Sequence, residues 1–353
     1  MKSSKGQKVS EVLSKINVKA FVESVLAILI GFLIGAIILL AFGYDPVDAY
    51  VALFKGGLAS TDNIAVTLHY STPLMLTALT FAIGARTGIF NIGAESSFYF
   101  GAIAAIAFTN IWGNLWFGLL MGMVLGALWA LPAALLKVYR GVHEVISTIM
   151  LNWIGWYFVL WLIVGPYANP KNPIKTIKVP PSARLPLIGN TVLSWGFIIA
   201  VIASVSIYFI LWHTTLGFSM RASGYNEKAA RYGGINPKMA VLWSFLIGGM
   251  MSGLGGAMKI MGDYPGYAIS QGGANIYGFG FDGIGVSLVG RNHPLGIILS
   301  AIFFGMLKAG TSSMQQTGVP LEIVRVIQGV IIITVAIPSL YDLIKKALGR
   351  GAA

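Results

Sequence analysis

The chain has 353 residues, no cysteine and few charges, because only 10% of its residues are Asp, Glu, Lys or Arg. Without cysteine it forms neither a disulfide framework nor a thiolate metal site. Soluble domains carry about 25% charged and about 45–50% apolar residues. Apolar residues make up 56% of this sequence. The composition excludes an ordinary soluble domain and indicates a protein that crosses the membrane several times.

Acidic residues are the scarcer of the charged types: 12 stand against 24 Lys and Arg, which gives a formal net charge of +12. A basic excess can indicate nucleic-acid binding, but these cations cluster beside apolar runs. Lys2, Lys5, Lys8, Lys15 and Lys19 precede the first run, and Lys345, Lys346 and Arg350 follow the last. Such clusters set topology and contact anionic lipid. We therefore expect membrane lipid as a partner and no nucleic acid.

Motifs that carry catalysis are also missing. The phosphate-binding motif G-x-x-x-x-G-K-[ST] does not occur, so the chain has no nucleotide-hydrolysing site of that type. The four histidines lack metal-ligand spacing, and neither a Ser or Cys dyad nor usefully paired carboxylates are present. We expect no enzymatic activity, no metal and no cofactor of its own.

Apolar runs of about 20 residues, the length that crosses the hydrocarbon core, predict ten transmembrane helices. They lie near residues 20–42, 64–85, 96–111, 116–136, 144–165, 193–212, 240–261, 277–290, 294–310 and 323–343. Arg and Lys are concentrated in the loops that this count places inside, so both termini are expected in the cytoplasm. The predicted organisation is an N-terminal arm over 1–19, a transmembrane domain over 20–343 and a tail over 344–353. The fold class is an all-α integral membrane protein.

Glycines repeat at every fourth residue in three of these runs: Gly31 and Gly35, then Gly118, Gly122 and Gly126, then Gly249 and Gly253. Small residues at this spacing let helices pack closely in lipid, where burial of apolar surface does not drive helices to associate. These faces predict helix–helix contacts.

Two loops are long and unusual. The predicted extracellular loop 165–191 contains six prolines, four cations and no acid, which predicts a stiff, extended surface. It is either a landing site for an acidic extracellular protein or a lid packed on the spans. The cytoplasmic loop 214–239 is polar and rich in cations, and residues 226–232 are expected to form a short helix bounded by glycines. Such a helix is a docking surface for a soluble partner.

Two similar breaks interrupt the apolar pattern, at residues 86–97 and 277–285. Each places an aromatic residue, then Asn91 or Asp282, then glycines at a helix break. Five spans separate the two breaks, which is the arrangement of an inverted 5+5 repeat whose broken helices line a midplane site.

Glu95 and Asp282 are functional candidates because carboxylates within a membrane usually face a cavity or an ion pair. The structural alternatives are an ion pair of Glu95 with Arg86, and Asp282 at the N-terminus of the eighth span. Lys259, Lys308 and Arg325 lie near outer span ends, where we expect their ammonium or guanidinium groups to reach the interface.

Four segments together resemble a known family: FNIGAE, GVHEVISTIMLNWI, RASGYNEKAARYGGIN and GFGFDGIGVSLVGRNHPLGI. They are similar to the permease subunits of ABC (ATP-binding cassette) importers for ribose, other simple sugars and nucleosides, and most similar to the nucleoside permeases. The similarity runs from about residue 70 to 338 and implies a type II importer fold in the plasma membrane. The alternatives of nucleoside or simple sugar, and of one permease pairing with itself or with a different one, stay open.

The resemblance implies partners and site residues. The partners are an ATP-binding cassette subunit that binds the ATP, an extracellular substrate-binding protein and a second permease subunit. The cytoplasmic loop matches the family's coupling loop at Asn226, Glu227, Ala229, Ala230, Arg231, Gly234 and Ile235.

The expected solute pathway contains Phe90, Asn91, Glu95, Phe281 and Asp282, with the two phenylalanines stacking on a base or sugar. Ser96 and Ser97 stand where relatives commonly have Gly-Gln, which leaves the direct solute contacts open. An ion-coupled secondary transporter using Glu95 and Asp282 is the alternative of another class, although it would not need a docking helix.

Overall fold

The computed structural model describes residues 18–336, which are mainly helical. The described helices are α1 (Val18–Ala41), α2 (Pro46–Leu58), α3 (Thr61–Arg86), α4 (Ala94–Trp112), α5 (Leu115–Arg140), α6 (Glu144–Val164), α7 (Gly196–His213), α8 (Thr215–Tyr225), α9 (Glu227–Tyr232), α10 (Pro237–Met261), α11 (Phe279–Val289), α12 (Pro294–Gln316) and α13 (Leu321–Ala336). Two short antiparallel strands, β1 (Ala168–Asn169) and β2 (Asn172–Thr176), lie between α6 and α7.

Each of the ten predicted spans overlaps a described helix, and six of these helices have the length and hydropathy of a membrane span: α3, α5, α6, α7, α10 and α12. The membrane-protein class is thereby confirmed, whereas the count of ten crossings stays a prediction. Helix α2 was not predicted. Most of the predicted arm over 1–19, the end of the last span and the tail over 344–353 lie outside the described residues.

Polar residues and glycines fix the ends of several helices. Ser60, Asn114 and Asn226 each accept a hydrogen bond from the backbone three residues on, which satisfies a free N–H group at a helix start. Helices α4 and α5 both end at a glycine in the left-handed region, Gly113 and Gly141, with φ of 61° and 65°. Only glycine adopts this conformation without steric cost, so these ends are encoded locally.

The chain forms two compact units, Met1–Tyr50 with Met314–Ala353, and Val51–Ser313. In the described part of the first unit, α1 packs on α13. Gly31 lies against Ile331, and Gly35 lies against Ile327 and the Tyr50 hydroxyl. The predicted small-residue face of α1 is therefore confirmed.

In the second unit, α10 is the central helix and crosses α4 and α5 at glycines. A Cβ atom on Gly249 would lie 2.5 Å from the Gly126 carbonyl oxygen. One on Gly101 would overlap the backbone of Gly253, which itself touches the Gly122 carbonyl. Hydroxyl groups add to the contact, because Thr80 in α3 donates to the Gly248 carbonyl at 2.7 Å. The two predicted glycine faces of α5 and α10 thus meet each other.

The predicted outer loop is ordered against the rest of its unit rather than extended into solvent. Thr176 N–H donates to the Ile269 carbonyl and Val179 N–H donates to the Tyr267 carbonyl, both at 2.9 Å. The Arg184 guanidinium lies 4.2 Å from the centre of the Tyr267 ring. These contacts favour the lid interpretation, and the short strands are a departure from the all-α prediction.

Two of the three lysines and arginines expected to reach the interface are instead paired inside the protein. Lys259 is 6% exposed and donates to Asp263 at 2.6 Å, with His69 Nε2 at 3.2 Å from its ammonium. Burial raises the pKa of Asp263, but the hydrogen bond with His69 and the Lys259 charge hold it well below its usual range. Lys308 pairs with Asp282 at 2.7 Å. A buried ammonium needs a carboxylate partner; the sequence offered Lys259 only the i,i+4 spacing to Asp263, and it gave no sign of the pair between Lys308 and Asp282.

Candidate functional site

The two predicted helix breaks meet each other at Glu95. This residue lies in the first turn of α4, directly after the break at residues 86–93, and is 1% exposed. The second break begins at Gly278, whose φ of 88° sets the chain direction before α11 starts. The elements that the sequence suggested as related are therefore in direct contact.

Glu95 uses its carboxylate to cap α11 from outside that helix. One oxygen accepts from the Tyr99 hydroxyl and from Gly278 N–H, and the other accepts from Gly280 N–H and from Phe281 N–H at 3.1 Å. A carboxylate at this position satisfies free N–H groups and suits the positive end of the helix dipole. The carboxylate is thus held in a structural cap with each oxygen hydrogen-bonded twice.

The expected ion pair between Glu95 and Arg86 does not form. Arg86 donates to the carbonyls of Asn292 and Arg291, at 2.9 and 3.0 Å, in the turn that follows α11. Glu95 points toward α11, where three backbone N–H groups are at hydrogen-bond distance from its carboxylate. The predicted ion pair with Arg86 was therefore wrong, although Glu95 does have a structural role as the cap of α11.

Asn152 in α6 holds the first break in place. Its side-chain oxygen accepts from the backbone N–H and from the hydroxyl of Ser96, at 3.1 and 2.7 Å. Its amide nitrogen donates to the Ile92 carbonyl at 3.0 Å. Ser96 therefore has a defined partner in this chain. Sequence reasoning missed Asn152, although a lone amide in the apolar run of α6 was a signal.

Asn91 closes a turn and does not line the cavity described below. It is 2% exposed, and its side-chain oxygen accepts from Gly93 N–H at 2.9 Å. This contact to the backbone two residues on is the usual way in which Asn closes a turn. Asn91 therefore shapes the break from which Glu95 projects.

A small, partly open cavity of about 30 Å³ lies beside the Glu95 cap. It is lined by Glu95, Tyr99, Ile149, Asn152, Trp153, Trp156, Tyr277 and Phe281. The Trp156 ring lies 4.9 Å from that of Tyr99 and 5.0 Å from that of Tyr277. Tyr277 is 51% and Phe281 44% exposed. The cavity is mainly aromatic, and the polar groups of Glu95, Tyr99 and Asn152 in its lining are already hydrogen-bonded.

Of the five predicted pathway residues, the cavity brings together Glu95 and Phe281. Phe90 is not in its lining and packs edge-to-face on Phe81, with ring centres 4.9 Å apart. Asp282 lies in the first turn of α11, as the helix-end alternative expected, but its carboxylate pairs with Lys308 instead of capping. Contact of Phe90 and Asp282 with the solute stays a prediction.

The predicted short helix in the cytoplasmic loop is present as α9, and Asn226 caps it. Glu227 and Arg231 form an exposed ion pair at 2.7 Å, and Ala230 is buried against the rest of the loop. Gly234, with φ of 79°, turns the chain away, and Ile235 N–H donates to the Ala230 carbonyl. The preceding residues form α8, so this segment is a helical hairpin rather than an irregular loop. Tyr225 and Tyr232, at 85% and 96% exposed, project from its ends.

Comparison with known protein families places these motifs within one family. A family model described as the permease component of the branched-chain amino acid transport system matches residues 63–336. The chain belongs to this permease family. Members are transport subunits of ABC systems, so the helices above are those of a membrane permease.

Several characterised relatives match this permease along most of its length. The nucleoside ABC transporter permease NupB of Lactococcus lactis is 36% identical over 333 residues, covering 90% of this chain and 91% of the relative. The guanosine permease NupP of Bacillus subtilis is 35% identical, covering 88% and 91%. A glucose ABC transporter permease of Haloferax volcanii is 31% identical, covering 89% and 86%. No solved structure matches the permease significantly.

Proposed function

We propose that this permease is a membrane-spanning subunit of an ATP-driven importer that carries nucleosides into the cell. The observation that carries the proposal is the 36% identity to a nucleoside permease over 90% of the chain. The aromatic cavity at the meeting point of the two helix breaks supports it independently. Because the cavity is about a tenth of the roughly 300 Å³ at which small-molecule pockets begin, it must open widely to admit a whole nucleoside.

The lining of the cavity suits a flat solute. Tyr277 and Phe281 expose about half of their rings, and Trp156 lies behind them. A nucleobase that stacks on an aromatic side chain gains about 1–3 kcal/mol. This gain is enough to orient a base during passage without holding it tightly, which is what a transport pathway requires.

The charges around the cavity suit an uncharged solute. None of the residues that line it is cationic, and the N–H groups at the start of α11 already donate to Glu95. A nucleotide phosphate or an amino-acid carboxylate would face the Glu95 carboxylate without a compensating cation among the residues that line the cavity. This arrangement favours a nucleoside over a nucleotide, and over the amino acids that the family description names.

A simple sugar is the second candidate solute. It is supported by the 31% identity to a glucose permease and by the same lack of charge selection. A sugar would gain less from the aromatic rings than a base, because only its apolar ring face can stack.

The coupling assignment rests on α9. Its six residues are too few to be stable alone, so the Asn226 cap and the Glu227–Arg231 pair hold a shape meant for a partner. We assign that partner as the ATP-binding subunit. We further propose ten membrane crossings in an inverted repeat, cytoplasmic termini, a second permease subunit and an extracellular substrate-binding protein. The ordered cationic loop 165–191 is the surface available to the substrate-binding protein.

The ion-coupled alternative gains no support from the same geometry. Its two candidate ion ligands are both engaged, Glu95 by four donors and Asp282 by Lys308. A sodium or proton site would need one of these carboxylates to be released.

The proposal is tested by uptake in proteoliposomes that contain this permease with its partner permease, ATPase and substrate-binding protein. Labelled guanosine, guanosine monophosphate, glucose and leucine are compared with and without ATP. We expect ATP-dependent uptake of guanosine and little uptake of the nucleotide or leucine. Glucose uptake without guanosine uptake would establish the second candidate. Uptake that follows an ion gradient and ignores ATP would refute an ABC importer.

Replacing Phe281 with Leu tests the cavity as the stacking surface. We expect guanosine uptake at low concentration to fall about tenfold, corresponding to the lower part of the 1–3 kcal/mol range for stacking. Phe90→Leu is the matched comparison, because Phe90 is 47% exposed but does not line the cavity. Equal losses in the two variants would contradict the placement of the solute in this cavity.

Replacing Asn226 with Ala tests α9 as the docking helix. The change removes a helix cap worth about 0.5–2 kcal/mol, so we expect solute uptake and solute-stimulated ATP hydrolysis to fall together. Asn226→Ser restores a capping oxygen and should recover most of both activities. An Asn226→Ala complex with unimpaired uptake would show that the α9 conformation is not needed for coupling.

A further inference from the structure

Three segments of the second unit meet beneath α11, at a place we call the Trp212 junction. The first segment holds Arg86 at the end of α3 and Gly88 after it. The second runs from Trp212 at the end of α7 to Arg221 and Gly224 in α8, and the third is the turn 290–293 after α11. The proposed solute pathway does not use these residues. Each segment leads to a different functional element: to the Glu95 break, to the docking helix or to α11.

Helices α8 and α9 together are called the docking hairpin. This hairpin touches the first break through backbone atoms. A Cβ atom on Gly224 would overlap the Arg86 carbonyl oxygen and lie 2.9 Å from Gly88 N. The reverse contact is as close, since a Cβ on Gly88 would lie 3.0 Å from the Gly224 Cα atom. Glycine on both sides lets α8 press directly on the chain that leads to Asn91 and Glu95. A displacement of α8 is therefore not absorbed by flexible side chains.

Arg86 carries this contact onward to α11. Its guanidinium donates to the Asn292 and Arg291 carbonyls. Both residues adopt the left-handed region, with φ of 51° and 54°, which costs energy for a residue other than glycine. Ser287 in α11 donates to the Asn292 side chain at 2.9 Å, so the turn is fastened to the helix. Arg86 thus holds a strained turn that is continuous with α11.

The ring of Trp212 connects α3 with α8. The guanidinium of Arg86 lies 5.3 Å and that of Arg221 lies 5.5 Å from its centre. Arg221 also donates to the Leu211 carbonyl at 2.9 Å, which ties α8 to α7. His293 packs against Trp212 from the turn, with ring centres 4.7 Å apart and the rings tilted by 53°. The junction therefore has an aromatic centre on which cations from α3 and α8 both rest.

Helix α11 is held at both ends by these two clusters. Its 11 residues span about 16 Å at 1.5 Å per residue, about half of the hydrocarbon core. The Glu95 cap holds one end beside the cavity, and Arg86 holds the turn at the other end. A short helix fastened in this way moves as a rigid rod, so a shift at the turn reaches Tyr277 and the cavity.

We propose that Arg86 is the positioning residue that transmits movement of the docking hairpin, through the turn 290–293 and α11, to the cavity. This inference rests on the proposed function as an ATP-driven importer, but not on the identity of the solute. In the absence of this link, ATP hydrolysis by the partner would continue without changing the cavity.

The absence of cysteine in the chain allows a direct test. Tyr277→Cys places a single thiol at the cavity, and its rate of maleimide labelling is measured in the assembled complex with and without ATP. We expect ATP to change the rate. Adding Arg86→Gln should reduce the ATP effect by about fivefold or more, the lower end of the usual coupling between two sites, while ATP hydrolysis persists.

Gly224→Ala tests the same link from the other side. Alanine favours a helix over glycine, so α8 should remain formed while its contact with Gly88 is forced apart. Loss of the ATP effect in this variant would support the proposal independently of Arg86. Arg140→Gln is the matched control, because Arg140 is exposed at the end of α5, and its ATP effect should equal that of the parent.

Two results would overturn the proposal. Either the ATP effect on Tyr277→Cys survives in both Arg86→Gln and Gly224→Ala, or it declines only in proportion to lost ATP hydrolysis, as a general brace of the fold would cause. The labelling needs no solute, so a parent complex that responds to ATP without transporting guanosine refutes the nucleoside assignment alone. A parent that does not respond to ATP refutes the importer function and, with it, this coupling.

Discussion

Replacing Glu95 with Gln is expected to abolish solute uptake and to destabilise the permease by about 3 kcal/mol or more. Each hydrogen bond to a charged group contributes about 1.5–3 kcal/mol. The Glu95 carboxylate accepts four, including those from Gly278, Gly280 and Phe281 at the start of α11. Glutamine would turn an amide NH₂ group toward at least one backbone N–H donor, so that contact becomes repulsive and the helix end loses its counter-charge.

The measurement is thermal unfolding of the purified protein in detergent, together with ATP-dependent uptake. Glu322→Gln is the control, because Glu322 is an exposed acid in the first turn of α13. A neutral surface change of this kind usually stays within about 0.5 kcal/mol. If Glu95→Gln unfolded at the same temperature as the control and still supported uptake, Glu95 would not be the link between the two breaks.

Replacing Gly253 with Ala is the second change with a large expected effect. A Cβ atom there would overlap the Gly122 carbonyl oxygen and lie 2.9 Å from the Gly126 Cα atom. These are backbone atoms of α5, so no side chain can rotate to make room. Overpacking in a core costs about 1–3 kcal/mol and occasionally more, and we expect about 3 kcal/mol or more here because Gly101 in α4 meets the same residue.

Gly329→Ala is the matched control for this prediction. A Cβ atom on Gly329 would meet nothing within 4 Å, and alanine is a better helix former than glycine. We expect Gly329→Ala to unfold at or above the temperature of the parent and Gly253→Ala to unfold well below it, or to accumulate poorly in the membrane. Equal unfolding temperatures would show that α4, α5 and α10 do not cross as closely as the structure has them.

Local patterns predicted the features that depend on neighbours in sequence. The α9 helix follows from the Asn226 cap and the glycines after Tyr232, and the glycine faces of α1, α5 and α10 follow from a four-residue spacing. Both rest on interactions within a few residues or on the period of a helix. The positions of the two breaks were visible for the same reason, because asparagine, aspartate and glycine interrupt an apolar run.

Partner choice among buried polar groups could not be predicted in the same way. The structural alternative paired Glu95 with Arg86, which is nearer in sequence, whereas its backbone donors come from residues 278–281. Lys259 and Lys308 were placed at the interface because their carboxylates, Asp263 and Asp282, gave no sign of proximity beyond a helical spacing for the first. Asn152 was missed since one amide in an apolar run does not reveal what it will hold.

The sequence by itself determined the membrane class, the long apolar helices and the family, because composition, apolar run length and short motifs are properties of the chain alone. Only the tertiary structure decided what the motifs do together. It placed the carboxylate of one break on the helix end of the other, gathered the aromatic rings into a cavity and set Arg86 between the docking hairpin and α11. The physical reason is that a buried polar group takes whichever partner the packing of helices brings within about 3 Å, and that packing is decided by the whole fold.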